Sequence, residues 1–152
     1  MERFNEYYDF MKGYLSFFEG VKDNERNKMH ALLSNDLKKI ESAMQQHQSD
    51  VKKIELIEKQ RRELSERLGF GQMDFSAIID LFEGDERNKL WGVKNNLQIT
   101  VKNIQYLNRK SMEIANLQLN YYGELAADEE ARLYNAKGKP EVAAANLLNT
   151  KA

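Results

Sequence analysis

Apolar residues recur at three- and four-residue steps along three long stretches of this chain, and polar residues fill the positions between. In the first stretch Phe4, Tyr7, Tyr8, Met11, Leu15, Phe18 and Val21 follow that spacing, and Phe10, Tyr14 and Phe17 widen the stripe. At about 100° per residue the apolar arc covers roughly half of a helix circumference. Asn5, Asp9, Lys12, Ser16 and Glu19 lie opposite. The pattern predicts a helix from near Met1 to about Leu32, and an arc this wide calls for two neighbours. They are the two other long helices, unless part of the arc faces a partner or a second copy.

Ser34-Asn35-Asp36 predicts a break, because these side chains accept backbone hydrogen bonds and favour turns and helix N-caps. A second helix is predicted from Leu37 to Leu68. Its stripe is Leu37, Ile40, Met44, Val51, Ile54, Ile57, Leu64 and Leu68, close to a heptad, as in a left-handed coiled coil. Its length is on the order of 50 Å. Gly69 and Gly71 end it. Asp74 is placed to cap a short helix, Phe75 to Phe82, whose Ile78, Ile79, Leu81 and Phe82 cover the end of the hairpin. The longest stretch follows Gly84-Asp85, with Leu90, Val93, Leu97, Val101, Ile104, Leu107, Met112, Ala115, Leu119, Tyr122 and Leu125 in register.

The texture changes at Ala126. Alanines and acids lead to Tyr134-Asn135-Ala136-Lys137-Gly138-Lys139-Pro140, which reads as a turn or loop. Val142 to Leu148 has good helix formers, but a helix so short is marginal alone in water. The predicted fold is all-α: an elongated antiparallel helical bundle of long amphipathic helices, with coiled-coil-like packing and a short C-terminal tail helix. Residues 1–126 form the core, and residues 127–152 form a loop and a partner-binding tail. The segments Phe18-Glu19-Gly20 and Phe82-Glu83-Gly84 echo one another, as do Glu25 to Met29 and Glu86 to Leu90, but the gap lengths differ and no repeat is assigned.

Charged residues make up 31% and hydrophobic residues 41%, which fits a well-solvated folded chain and excludes wholesale disorder. Lys and Arg number 23 against 24 Asp and Glu, so the positive excess of a general nucleic-acid binder is missing. No cysteine is present, which removes disulfides, thiolate metal sites and a cysteine nucleophile. The first residues carry no basic leader, and no run approaches a membrane span. These features lead to an expectation of a cytoplasmic protein with no stable membrane insertion.

Catalytic and cofactor motifs do not stand out. His30 and His47 are the only histidines, and neither has the Glu-x-x-His spacing of a di-iron bundle. No HExxH, P-loop or GxGxxG occurs. We therefore expect no enzyme, no metal and no cofactor. His47 falls in the apolar register between Met44 and Val51 and reads as a polar residue on a packing seam. Trp91 reads either as a core anchor or as an exposed contact. Asn108 lies beside the long stripe and is the better placed of Asn108 and Asn116 to be buried.

Several of these features together resemble the FlgN family of flagellar export chaperones. They are the aromatic first helix ending in Glu25 to Leu33, the Asn35-Asp36-Leu37 break, and the charged heptad helix closing with Glu58 to Leu64 and Leu68-Gly69. Leu107-Asn108-Arg109 and the terminal Tyr134-Asn135-Ala136-Lys137-Gly138, similar to a Tyr-x-x-x-Gly loop, complete the set. Ser111 stands where relatives often carry a second asparagine. The resemblance implies a cytoplasmic chaperone that binds the hook-filament junction proteins FlgK and FlgL through their C-terminal helices, prevents premature assembly, and contacts the type III export apparatus. It also implies client binding near the C-terminus, which on this chain points to Tyr121, Tyr122, Leu125, Leu133, Tyr134, Gly138, Leu147 and Leu148. Removing the residues after Glu130 is then expected to leave the bundle folded and abolish client binding. Leu147 and Leu148 have an alternative use, folding back on the bundle. The alternative function is a homodimeric coiled-coil assembly module joined through the Leu37 to Leu68 seam. Monomer and homodimer are both compatible with the stripes.

Overall fold

The computed structural model describes residues 2–137, which form four helices and no strand. They are α1 (Glu2–Ser34), α2 (Leu37–Arg67), α3 (Phe75–Ile79) and α4 (Gly84–Lys137). Helix α1 lies between the other two long helices. It packs against both, while no Cα of α2 comes within 8 Å of one of α4. The wide aromatic arc thus has the two neighbours that it requires. Helix α2 runs antiparallel to α1, with Tyr14 opposite Glu58 and Asn24 opposite Asp50. Helix α4 returns parallel to α1, with Lys28 opposite Asn108 and Leu32 opposite Gln118. Of the Leu37 to Leu68 stripe, Leu64 is buried and Ile57 and Leu68 pack on the core, but Leu37 and Val51 are exposed, contrary to the heptad expectation, because the polar pairs of Asn24 with Asp50 and Glu25 with His47 hold that end of the α1–α2 seam.

The turns follow from local chemistry. Asn35 takes a left-handed conformation (φ 56°) that ends α1. The Asp36 carboxylate accepts from the backbone N–H groups of Lys38 and Lys39 and so caps α2. Gly69 (φ 82°) closes α2 with the paired bonds of a Schellman motif, Phe70 N–H to Ser65 O and Gly69 N–H to Glu66 O. The first of these turns Phe70 into the core. Asp74 caps α3 through Ala77 N–H at 2.8 Å.

Two more expectations are corrected here. The short helix stops at Ile79 instead of Phe82, because Leu81 and Phe82 N–H bond three residues back and tighten the chain. Ile78 and Ile79 are fully buried and Phe82 packs on the core, but Leu81 is exposed. The larger correction concerns residues 127–137, where a loop was expected and α4 continues to Lys137. Ala126, Ala127, Glu129, Glu130, Ala131, Arg132 and Leu133 are strong helix formers, and no glycine or proline intervenes before Gly138.

The core is divided along the bundle. At the base, apolar side chains from α1, α4 and the segment around α3 form a dense cluster of Phe4, Tyr7, Met11, Tyr14, Phe70, Ile78, Ile79, Leu90 and Val93. Its rings lie at interacting distances, Phe4 on Tyr8 at 5.4 Å and Tyr7 on Phe70 at 5.2 Å. Trp91 joins its edge as a partly buried anchor, with Lys94 over its ring at 4.6 Å. Toward the other end the seam becomes polar, with Glu25, Lys28, Asp50, Thr100 and Ser111 all buried. The sequence echo has no structural counterpart: Gly20 lies inside α1, and Gly84 opens α4 at φ 60°.

Candidate functional site

The polar half of the seam is held by one buried cluster. Lys28 Nζ lies 2.6 Å from Glu25 Oε2, and both side chains are almost fully enclosed. Lys28 also donates to Asn108 Oδ1 at 3.0 Å, tying α1 to α4. His47 Nδ1 lies 2.7 Å from Glu25 Oε1 and ties α1 to α2. A carboxylate only accepts, so the His47 Nδ1 proton points to Glu25, and the 3.3 Å approach of Lys28 to the same nitrogen is electrostatic contact only. His47 and Asn108 are thus seam residues, as their register indicates, while Asn116 is exposed. Nearby Asp50 accepts from Asn24 and Gln46, both at 3.0 Å. No group of three or more His, Cys, Asp or Glu side chains able to hold a metal occurs among the described residues.

A second polar junction lies lower on the same interface. Tyr14 donates to Glu58, which also receives two hydrogen bonds from Arg61 at 3.2 Å each. Partial burial pushes the Glu58 carboxyl up, but the Arg61 and Tyr14 hydrogen bonds and the Arg61 charge outweigh it and hold Glu58 below the usual range. Burial, followed by the Glu58 carboxylate, raises the Tyr14 phenol well above its ordinary value. Burial, partly offset by the Arg61 charge, pushes Tyr7 up to about 12. These groups join helices, and Arg61 also borders a surface hollow with Arg62, Ser65, Glu66, Gly71, Gln72 and Met73.

The unusual surface is the end of α4. Gln118 Nε2 donates to Leu32 O at 2.5 Å and to Asn35 Oδ1 at 2.9 Å, so Gln118 sits level with the α1–α2 turn. Roughly 19 further residues, Leu119 to Lys137, extend beyond it, about 28 Å of helix at 1.5 Å per residue. Among the described residues of this extension Leu119, Tyr121, Tyr122, Leu125 and Tyr134 are exposed. Its face continues the seam that holds α1. An α-helix repeats its direction after 18 residues, about five turns. Leu125 therefore points as Leu107 does and Tyr122 as Ile104 does, but Leu107 is 7% exposed and Leu125 46%.

Of the residues expected in the binding region, Tyr121, Tyr122 and Leu125 are exposed on this one arc. The rings of Tyr121 and Tyr122 meet edge to face at 5.6 Å. Half-buried Leu133 follows Tyr122 by 11 residues and shares its side of the helix. Tyr134 is exposed but lies nine residues beyond Leu125, about half a turn round, so the structure does not bring it to the same face. Gly138, Leu147 and Leu148 lie outside the described residues. Four exposed leucines join the surface unannounced, Leu117 and Leu119 on α4 and Leu33 and Leu37 at the turn beside Gln118. Leu117 lies four residues before Tyr121 and Leu119 three before Tyr122, a spacing visible in the sequence.

Among the described residues the fold is an all-helical bundle whose longest helix outruns its neighbours and carries exposed apolar side chains on the part that does so. No helix among the described residues is long and apolar enough to cross a membrane. Comparison with protein families yields a match to the family described as FlgN protein over residues 15–141, from the middle of α1 to just past the end of α4. The chain therefore belongs to the FlgN family, a family of flagellar export chaperones that bind flagellar proteins. No curated protein and no solved structure matches it.

Proposed function

We propose that this protein is a cytoplasmic chaperone that holds the hook-associated proteins FlgK and FlgL before type III export. It does so by seating an amphipathic client helix on the end of α4. The observation that carries this reading is the seam that outruns its partner. Inside the bundle the Ile104 and Leu107 face lies against α1, and five turns later the same face, with Tyr122 and Leu125, is exposed among the described residues. A client helix laid there continues the line of α1 past the turn and buries its own apolar stripe. This is the helix-in-groove mode of recognition. Tyrosines suit it, since they combine a large apolar area with a polar tip.

The test is calorimetric titration with the C-terminal helices of FlgK and FlgL. The full chain is expected to bind at micromolar concentration or tighter. Tyr121→Ala with Leu125→Ala should remove about 2 kcal/mol or more, a loss of roughly 30-fold, with the helical circular-dichroism signal unchanged. Truncation after Glu130 should weaken binding by itself, since it removes Leu133 from the same face. Absence of binding by the full chain, or unchanged affinity in the double variant, would overturn the assignment.

A further inference from the structure

The extension of α4 differs in charge from the rest of the helix. Between residues 99 and 112 it carries Lys102, Arg109 and Lys110 and no carboxylate. Arg109 and Lys110 both lie over the Tyr106 ring, at 5.8 and 5.7 Å. Between residues 119 and 134 the sign reverses, with Glu124, Asp128, Glu129 and Glu130 against Arg132 alone. The positions of these acids matter more than their number. Measured from Leu125 at about 100° per residue, Glu124 and Asp128 lie on one side of the apolar arc and Glu130 on the other. Glu129 is within the arc and paired with Arg132 at 2.6 Å. Glu124 and Asp128 make no ion pair among the described residues. The strip of Tyr121, Tyr122, Leu125 and Leu133 is thus flanked by Glu124 and Asp128 on one side and by Glu130 on the other, and the Glu129–Arg132 pair crosses it between Leu125 and Leu133.

We infer that the occupant of this strip is an amphipathic helix of at least three to four turns whose apolar stripe is flanked by lysine or arginine. The inference rests on the client-binding reading above and adds the chemistry by which a client is chosen. The length follows from the strip, Tyr121 to Leu133, which is about 18 Å. The charge follows from complementarity: a helix with acidic flanks would set like charges side by side along both edges, while basic flanks gain ion pairs that exclude wrong partners and speed encounter. The flanking acids also repel a second copy of the same α4 end.

Two synthetic helical peptides of 18 residues test this, with the same leucine stripe and either lysine or glutamate at the flanking positions. Each is titrated into the full chain at low and at 0.5 M salt. The lysine-flanked peptide is expected to bind at least about tenfold more tightly at low salt, from a few exposed ion pairs. The gap should close at high salt, where the Debye length falls to a few ångströms. The variant Glu124→Lys/Asp128→Lys/Glu130→Lys should invert the preference with its helical signal intact. Equal binding of both peptides, lost in Tyr121→Ala/Leu125→Ala, would overturn the charge rule and leave the client-binding face standing. A preference that persists in the lysine variant would place the selecting charges elsewhere and overturn the rule as well. Binding of neither peptide would overturn both readings.

Discussion

Replacing Lys28 with methionine tests the buried cluster that joins the three long helices. The substitution keeps the aliphatic stem and removes the ammonium. Glu25 then loses its 2.6 Å partner and retains only the His47 Nδ1–H bond at 2.7 Å, while remaining almost fully enclosed. Breaking a buried ion pair from one side costs about 3–5 kcal/mol, because a charge is left without compensation. His47 is about a third exposed and still serves Glu25, so the lower end applies, about 3 kcal/mol. At 2–4 °C per kcal/mol for a chain of this size, the midpoint of thermal unfolding should fall by roughly 6–12 °C. Glu25→Leu alone should cost a similar amount, since it strands the Lys28 ammonium against Asn108. The double variant Glu25→Leu/Lys28→Met removes both charges and should be within about 1 kcal/mol of the parent, or more stable than it. Urea unfolding followed by circular dichroism at 222 nm measures all four proteins of the cycle. Additive losses in the double variant, or a Lys28→Met cost below about 1 kcal/mol, would refute the idea that the two charges depend on each other.

The packing leads to four further predictions. Gly13, Gly20 and Gly92 are helical with open space around an added Cβ, so Gly→Ala at each should stabilise by about 0.5–1 kcal/mol. The same change at Gly84, at φ 60°, should destabilise by about 1 kcal/mol, and thermal melts separate the two groups. The Tyr7 hydroxyl is buried without a partner, so Tyr7→Phe should stabilise at neutral pH by on the order of 1 kcal/mol, read from urea midpoints. Folding raises the phenols of Tyr7 and Tyr14 above the ordinary 10, so their neutral forms are the ones favoured. That contribution is fully present below pH 10 and is lost as pH rises toward 12, and the alkaline decline should flatten in Tyr7→Phe/Tyr14→Phe. Glu58 has the opposite sign: its contribution is present above the ordinary carboxylate range and is lost as pH falls below it, a loss that Glu58→Gln should remove.

Much of this architecture was legible along the chain because it depends on local spacing and on capping chemistry. The apolar period marks three long helices, and the half-circumference arc of α1 already demands two neighbours. Asn35, Asp36, Gly69 and Asp74 announce the turns, since each residue type suits the backbone geometry or orphan N–H found there. His47 could be placed on a seam from its register alone. The choice of Tyr121, Tyr122 and Leu125 came from family resemblance, and their apolar spacing is local as well.

What the tertiary structure decided is which apolar stripes are covered. Helical period states that a stripe exists, but its exposure depends on where the neighbouring helices stop. The bare face beyond Gln118 arises because α1 ends at Ser34 while α4 continues to Lys137. The run of alanines and acids after Ala126 looked like the start of a loop, although those residues extend a helix as readily as they end one. The burial of Glu25 and Lys28 was equally hidden. Nothing in their spacing or charge marks them as enclosed, and only the close approach of His47 and Asn108 from two other helices makes them so. Local sequence determines the faces of a helix; the relative lengths and directions of the packed helices determine which face remains free to bind.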